Sequence, residues 1–168
     1  MKQMLLLALF SVLLPNTALA LSAGDVAPDF TLPDAAGKPI TLSSLRGQFV
    51  YVDFWASWCG PCRQSFPWMN QLSQRSRNTA PKTLALNVLA VNVDEHRADA
   101  AAFLRQLPAS FTVVYDPAGT VAASYQLPGM PTSFLIGPDG RVRWTHIGFR
   151  PSDGSTLQAM ILRDMRKP

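Results

Sequence analysis

The chain holds two cysteines, Cys59 and Cys62, separated by Gly60 and Pro61. They follow an apolar, β-prone run from Phe49 to Trp55 and precede a segment with helical character. A Cys-x-x-Cys pair between a strand and a helix is the arrangement of a redox dithiol. A helix that begins at Cys59 surrounds the first thiol with unpaired backbone N–H groups at the positive end of the macrodipole. A thiolate is stabilised there, and its pKa falls from ~8.5 toward ~7 or lower. The i, i+3 spacing brings both sulfurs to one side of the first turn, close enough for a small disulfide ring. Pro61 is tolerated because first-turn N–H groups have no intrahelical partner. The expected chemistry is dithiol–disulfide exchange.

Asp53 is the second chemical feature. It stands in a strand read over Gln48 to Ala56, whose residues are otherwise nearly all apolar, as suits a strand buried on both faces. A carboxylate there is paired, protonated or functional, because burying it charged is expensive. The plainer alternative is a strand-end Asp that reaches solvent. His96 and His146 share no metal-ligand spacing with the cysteines. Neither a metal nor a cofactor is therefore expected beyond a redox-active Cys59–Cys62 disulfide.

The elements that must position these groups follow from pattern. Phe30 to Leu32 and Ile40 to Leu42 read as short strands around a turn rich in Pro, Asp and Gly. Ser43 to Gly47 reads as one helical turn closed by glycine. Cys59 to about Arg77 reads as a helix with Phe66, Met69, Leu72 and Ser73 on one face and a kink at Pro67. A loop over Asn78 to Lys82 leads to a buried strand, Leu86 to Val93. Then come an Ala-rich helix from His96 to Leu107, a strand from Phe111 to Tyr115 and a short helix from Thr120 to Tyr125. Ser133 to Ile136 and Arg141 to Ile147 flank Gly137-Pro138-Asp139-Gly140, a hairpin signal. Ser152 to Arg166 is a final helix. Alternating strands and helices followed by a hairpin give an α/β fold, a mixed sheet with helices on both faces.

The chain has 168 residues, 48% of them hydrophobic, with a formal net charge of +4. These values fit one globular domain and argue against disorder. The basic residues are scattered, with no stripe of interleaved aromatics, so nucleic acid is not an expected partner. Met1 to Ala20 reads as a secretory signal peptide. Lys2 supplies the positive end, Met4 to Leu14 the apolar core and Ala18-Leu19-Ala20 the cleavage site. An uncleaved membrane anchor is the alternative, although the apolar run is shorter than the ~20 residues of a spanning helix. No cysteine follows the cleavage site, which argues against an N-terminal lipid anchor on cysteine. Residues 21–168 then form a single domain, exported to a periplasm where disulfides persist.

With these motifs in place, the chain resembles the thioredoxin superfamily, and within it the exported TlpA/ResA-like thiol–disulfide oxidoreductases. Val52-Asp53-Phe54-Trp55-Ala56-Ser57-Trp58-Cys59-Gly60-Pro61-Cys62 resembles the thioredoxin active site nearly residue for residue. Gly129-Met130-Pro131-Thr132 resembles the loop whose proline is cis and faces the cysteines. The Gly24 to Phe30 opening and the Gly37 to Gly47 segment resemble the β-hairpin extension that this branch shares with peroxiredoxins. The resemblance implies a thioredoxin-like mixed central sheet with helices on both faces, plus that N-terminal hairpin. It implies Cys59 as nucleophile, Cys62 as resolving thiol, and substrate contacts from Trp58, Gly60, Pro61, Met130 and Pro131. For Met130 the alternative is core filling.

Two departures bear on proton handling. The branch often carries Glu three residues after the second cysteine, where this chain has Ser65, and Asn where it has Asp53. Asp53, raised in pKa by desolvation, is therefore expected to take the proton from Cys62. The resemblance implies a reductase of protein disulfides, with protein thiol or disulfide substrates, a membrane electron-donor protein, and cytochrome c maturation as one pathway. A disulfide-forming oxidant, a thiol peroxidase of the peroxiredoxin type and a passive binding module are the alternatives. The peroxidase lacks its usual Pro-x-x-x-Thr-x-x-Cys context at both cysteines.

Overall fold

The computed structural model describes residues 21–79 and 86–166. The signal-peptide reading of Met1 to Ala20 lies outside them, as does most of the expected Asn78 to Lys82 loop. Asn78 itself continues the preceding helix.

Among the described residues, the first elements are a β-hairpin of β1 (Thr31–Pro33) and β2 (Pro39–Thr41), followed by a single 3₁₀ turn over Leu42–Leu45. Gly47, at φ 84°, takes the left-handed conformation that turns the chain into the sheet. Next come β3 (Phe49–Trp55), α1 (Gly60–Thr79), β4 (Leu86–Asn92), α2 (Arg97–Gln106), β5 (Thr112–Tyr115) and α3 (Thr120–Ser124). The hairpin β6 (Thr132–Ile136) and β7 (Val142–Ile147) and the helix α4 (Asp153–Met165) complete the fold. The five-stranded sheet runs in the order β5-β4-β3-β6-β7. β3, β4 and β5 are parallel, while β6 and β7 are antiparallel to their neighbours. This is the mixed α/β sheet expected from sequence.

β3 is central, and every one of its residues is buried. Its pleat divides the core. Phe49, Tyr51 and Trp55 face the layer that includes Phe66, Met69 and Leu72 of α1, Phe103 of α2, and Leu157 and Ile161 of α4. Val50, Val52 and Phe54 face the opposite layer, closed by Phe30 and Leu32 of the hairpin region, Leu42 and Tyr125. The expected apolar face of α1 is therefore the buried one. Aromatic rings dominate the first layer: Phe66 lies 4.8 Å from Trp55 and from Phe103, in edge-on geometry with both. Each such ring contributes ~1.5–3 kcal/mol by leaving water. Gly154 of α4 lets Trp68 of α1 approach, since a Cβ there would stand 2.7 Å from the indole Cδ1.

Element ends differ from the sequence reading by a residue or two, as helix and strand ends do. One difference matters chemically. α1 starts at Gly60, not Cys59, so Cys59 is the residue that caps it.

Candidate active site

β3 and β4 run parallel to the pair Trp55–Asn92, and the Val93 N–H reaches the Trp55 carbonyl at 3.0 Å. The chain then leaves the sheet and turns at Ala56, whose carbonyl accepts the Cys59 N–H at 3.2 Å. Asp94 secures this turn. Its two oxygens accept the Ser57 N–H at 3.1 and 3.0 Å, and one takes the Ser57 hydroxyl at 2.9 Å. The Asn92 amide donates to Asp94 at 2.8 Å. Both Asn92 and Asp94 are buried. Sequence reading passed over this set, although two polar residues, Asn92 and Asp94, at the end of an apolar strand were its signal.

Cys59 and Cys62 form a disulfide across the first turn of α1. The Cys62 N–H also points at the Cys59 sulfur, 3.2 Å away. Cys59 thus occupies the capping position, and its sulfur accepts where a Ser or Asp oxygen would. A thiolate formed there meets an N–H donor and the positive end of a 20-residue helix. No acidic residue lies in that first turn to oppose it. Cys59 keeps 5% of its surface exposed, whereas Cys62 has none. Cys59 is therefore the less buried of the two cysteines.

Ser65 does not replace the missing acid. It is buried, and its hydroxyl donates to the Cys62 carbonyl at 3.0 Å, inside the helix. Asp53 is 1% exposed, so the solvent-reaching alternative does not hold. Its Oδ2 has no hydrogen-bond partner, and desolvation raises its pKa well above the usual carboxylate range. It shares the α1-facing side of β3 with Tyr51 and Trp55.

The second loop comes to the same end of the sheet. Thr132 pairs with Phe54, so Pro131 lies level with Trp55 and the start of the cysteine turn. The Met130–Pro131 bond is cis. The Gly148 N–H donates to the Pro131 carbonyl at 2.7 Å, and the Thr132 hydroxyl donates to the Gly129 carbonyl at 2.7 Å. Met130 is half-buried and packs on the α1-side core. Gly60 and Pro61 are exposed and Pro131 is buried. Trp58 is 71% exposed and Ile147 57% exposed. Ile147 pairs with Thr132 and lies beside Gly129, adding an apolar rim residue that sequence reading missed. Its side of β7 carried no signal apart from an isoleucine at a strand end. Among the described residues, no group of three or more His, Cys, Asp or Glu gathers to hold a metal.

The geometry is therefore a cysteine that caps α1, a second cysteine that is fully buried, a buried acid and a cis-proline loop with an apolar rim. Comparison with known proteins gives the family. The AhpC/TSA family profile matches residues 23–145. The thiol–disulfide oxidoreductase ResA of Bacillus subtilis (strain 168) is 38% identical over 124 residues, 73% of this chain. The match spans 66% of that protein's length. A crystal structure of a candidate thiol:disulfide interchange protein DsbE from Chlorobium tepidum is 49% identical with a TM-score of 0.80. The match covers 87% of this chain and 99% of that one. The pneumococcal exposed lipoprotein thioredoxin Etrx1 from Streptococcus pneumoniae strain TIGR4 is 27% identical with a TM-score of 0.68, over 81% of this chain and 99% of that one. The chain belongs to the AhpC/TSA family, in its branch of thioredoxin-like thiol–disulfide oxidoreductases.

Proposed function

We propose that this protein is a thiol–disulfide oxidoreductase that reduces disulfides in extended polypeptide segments outside the cytoplasm. The observation that carries the reading is the inequality of the two cysteines: Cys59 caps the helix and keeps some exposed surface, whereas Cys62 keeps none. In the reduced protein, the Cys59 thiolate attacks one sulfur of the substrate disulfide. A mixed disulfide forms, and the other substrate sulfur leaves as a thiolate and takes a proton from water. Cys62 then loses its proton to Asp53 and attacks the Cys59 sulfur. The second substrate thiol departs, and the Cys59–Cys62 disulfide forms. Two electrons pass from protein to substrate.

The cis-proline loop offers backbone, and Trp58, Gly60, Pro61, Met130 and Ile147 offer surface, for the chain on either side of the substrate cysteine. Regeneration takes two electrons from an external dithiol, for which a membrane donor protein is the proposed source. The signal-like Met1 to Ala20 sequence and the likeness to an exposed lipoprotein thioredoxin support a site of action beyond the membrane, in a periplasm. Among the described residues, no helix is long and apolar enough to cross a membrane. Cysteine pairs that receive haem in cytochrome c maturation are one fitting substrate.

The test is capture. A Cys62→Ala variant, expressed with its leader in a bacterial periplasm, stalls at the mixed disulfide. The expected result is a set of exported cysteine-pair proteins bound through Cys59 and released by reductant. Recovery of none, or capture that persists in Cys59→Ser, contradicts the reading.

A further inference from the structure

A line of polar side chains crosses the sheet beneath α1. Asp53 of β3 stands opposite Ser133 of β6, and Ser133 stands opposite His146 of β7. Directly opposed residues of antiparallel strands project to the same face, so the three form one row. Their neighbours two positions along, Tyr51, Leu135 and Trp144, belong to the core layer under α1 and α4, which identifies that face. The row begins in the dry interior and ends at the surface. Asp53 and Ser133 are buried, whereas the His146 side chain is 29% exposed. One atom at each end is orphaned: Asp53 Oδ2 and His146 Nε2 are buried without a hydrogen-bond partner. Two interstrand spacings of ~4.8 Å separate the two backbones, and because neither orphaned atom bonds the Ser133 hydroxyl directly, a bridging water must complete each contact. Buried polar atoms are normally satisfied, so two orphans flanking one hydroxyl mark the row as a working feature.

We propose that His146 is the exit for the proton that Asp53 takes from Cys62, with the Ser133 hydroxyl as intermediate carrier. The proposal rests on the reading of Asp53 as the base of the resolving step. The Cys62 S–H bond breaks, and its proton goes to the Asp53 carboxylate. The Asp53 O–H bond then breaks, and Ser133 accepts that proton as it passes its own to His146 Nε2. The imidazolium releases a proton to water from its exposed edge, and rotation of the ring resets the tautomer. The net change is one proton moved from Cys62 to solvent, with no electron transferred. The bridging waters, with rotation of the Ser133 hydroxyl, supply the contacts on its two sides.

The charged and titratable surroundings suit an exit. From α4, Asp153 places Oδ2 3.7 Å from His146 Nε2 and also accepts the Arg150 N–H at 2.8 Å. Arg163 and Asp164, farther along α4, lie 3.6 Å from each other. From β3, Tyr51 stands one diagonal step from Ser133, and its burial and Asp53 hold it neutral. The arginines of α1 are engaged elsewhere: Arg63 over Phe103, Arg75 with Gln158 and Arg77 with the Ser110 carbonyl.

The test is stopped-flow measurement of the resolving step in a dilute buffer, following Trp fluorescence as a model peptide disulfide is reduced. His146→Gln and Ser133→Ala are expected to slow Cys62 attack about tenfold, less than the ~10² lost with a general base itself. Ser133→Thr, which keeps the hydroxyl, is expected to recover most of the loss, and added imidazole to restore His146→Gln. Cys59 alkylation, which precedes the relay, serves as the internal control and is expected to keep its rate. If His146→Gln and Ser133→Ala resolve at the parent rate while Asp53→Asn is slow, the relay is wrong and the base stands. If Asp53→Asn also resolves at the parent rate, both fail. Slow variants that neither imidazole nor Ser133→Thr rescues show a packing role and overturn the relay. If one variant does not fold, the other decides.

Discussion

Asp94 holds the Ser57 backbone N–H between both its oxygens, at 3.1 and 3.0 Å. Ser57 lies two residues before Cys59, so this one carboxylate sets where the reactive turn leaves the sheet. Asp94→Ala leaves the Ser57 N–H and the Asn92 amide without their acceptor, at ~1–3 kcal/mol for each buried group. A loss of ~2–3 kcal/mol in urea unfolding is expected, together with slower Cys59 alkylation as the capping geometry loosens. Asp94→Asn keeps one acceptor oxygen and recovers part of both. A variant within ~0.5 kcal/mol of the parent, the range of ordinary surface changes, would show that the clamp is idle.

The buried acid makes stability depend on pH. Desolvation raises the folded pKa of Asp53 above its unfolded value of ~3.9. Below that value both states hold the proton, and the contribution is fully present. As pH rises through the window up to the folded pKa, the unfolded chain gives up a proton that the folded one retains. Stability then falls by up to ~1.4 kcal/mol per pH unit. Asp53→Asn has no such slope, so its stability relative to the parent increases from pH ~4 upward. Parallel stability curves for the two proteins across pH 4–8 would contradict a raised Asp53.

Trp58 and Ile147 present apolar surface to solvent, at 71% and 57% exposure. Truncating either to Ala costs the fold little, within ~0.5 kcal/mol. If they contact substrate, KM for a peptide disulfide rises about three- to tenfold, as loss of a ~1 kcal/mol apolar contact requires. Reduction of a small symmetrical disulfide stays near the parent rate. An unchanged KM for the peptide removes them from the binding surface.

Direction of electron flow is an equilibrium property. As a reductant, the protein is expected to show a potential near ~−270 mV when equilibrated with glutathione, and a value near ~−120 mV would identify an oxidant. A low Cys59 pKa works against the reductant, because it stabilises the dithiol form and raises the potential.

Much of this site is legible in the sequence because its signals are local. A Cys-x-x-Cys after an apolar strand, an acid inside that strand and a Gly-Met-Pro-Thr loop each carry a pattern over a few residues. Pleat and period then place them: the alternation in β3 separates Tyr51, Asp53 and Trp55 from Val50, Val52 and Phe54, and the structure divides its two core layers along that line. Features that depend on register between distant strands are not legible in this way. Ile147 reaches the rim because β7 pairs it with Thr132, and Ser133 stands between Asp53 and His146 because three strands align there. No window of sequence contains those pairings. Asp94 is an intermediate case: the polar residue was visible at the strand end, but its partner lies 37 positions away. The one-residue difference at the start of α1 arises because Cys59 supplies the cap with its own sulfur.

The central claim is that Cys59 alone is the nucleophile and that its position at the helix start makes it a thiolate. It is tested most directly by alkylating the reduced protein with iodoacetamide across pH 4–10 and locating the label by mass spectrometry. Label is expected on Cys59 with a midpoint below the ~8.5 of a free thiol, and none on Cys62 until the protein is unfolded. Earlier labelling of Cys62, or a Cys59 midpoint at or above ~8.5, would contradict it.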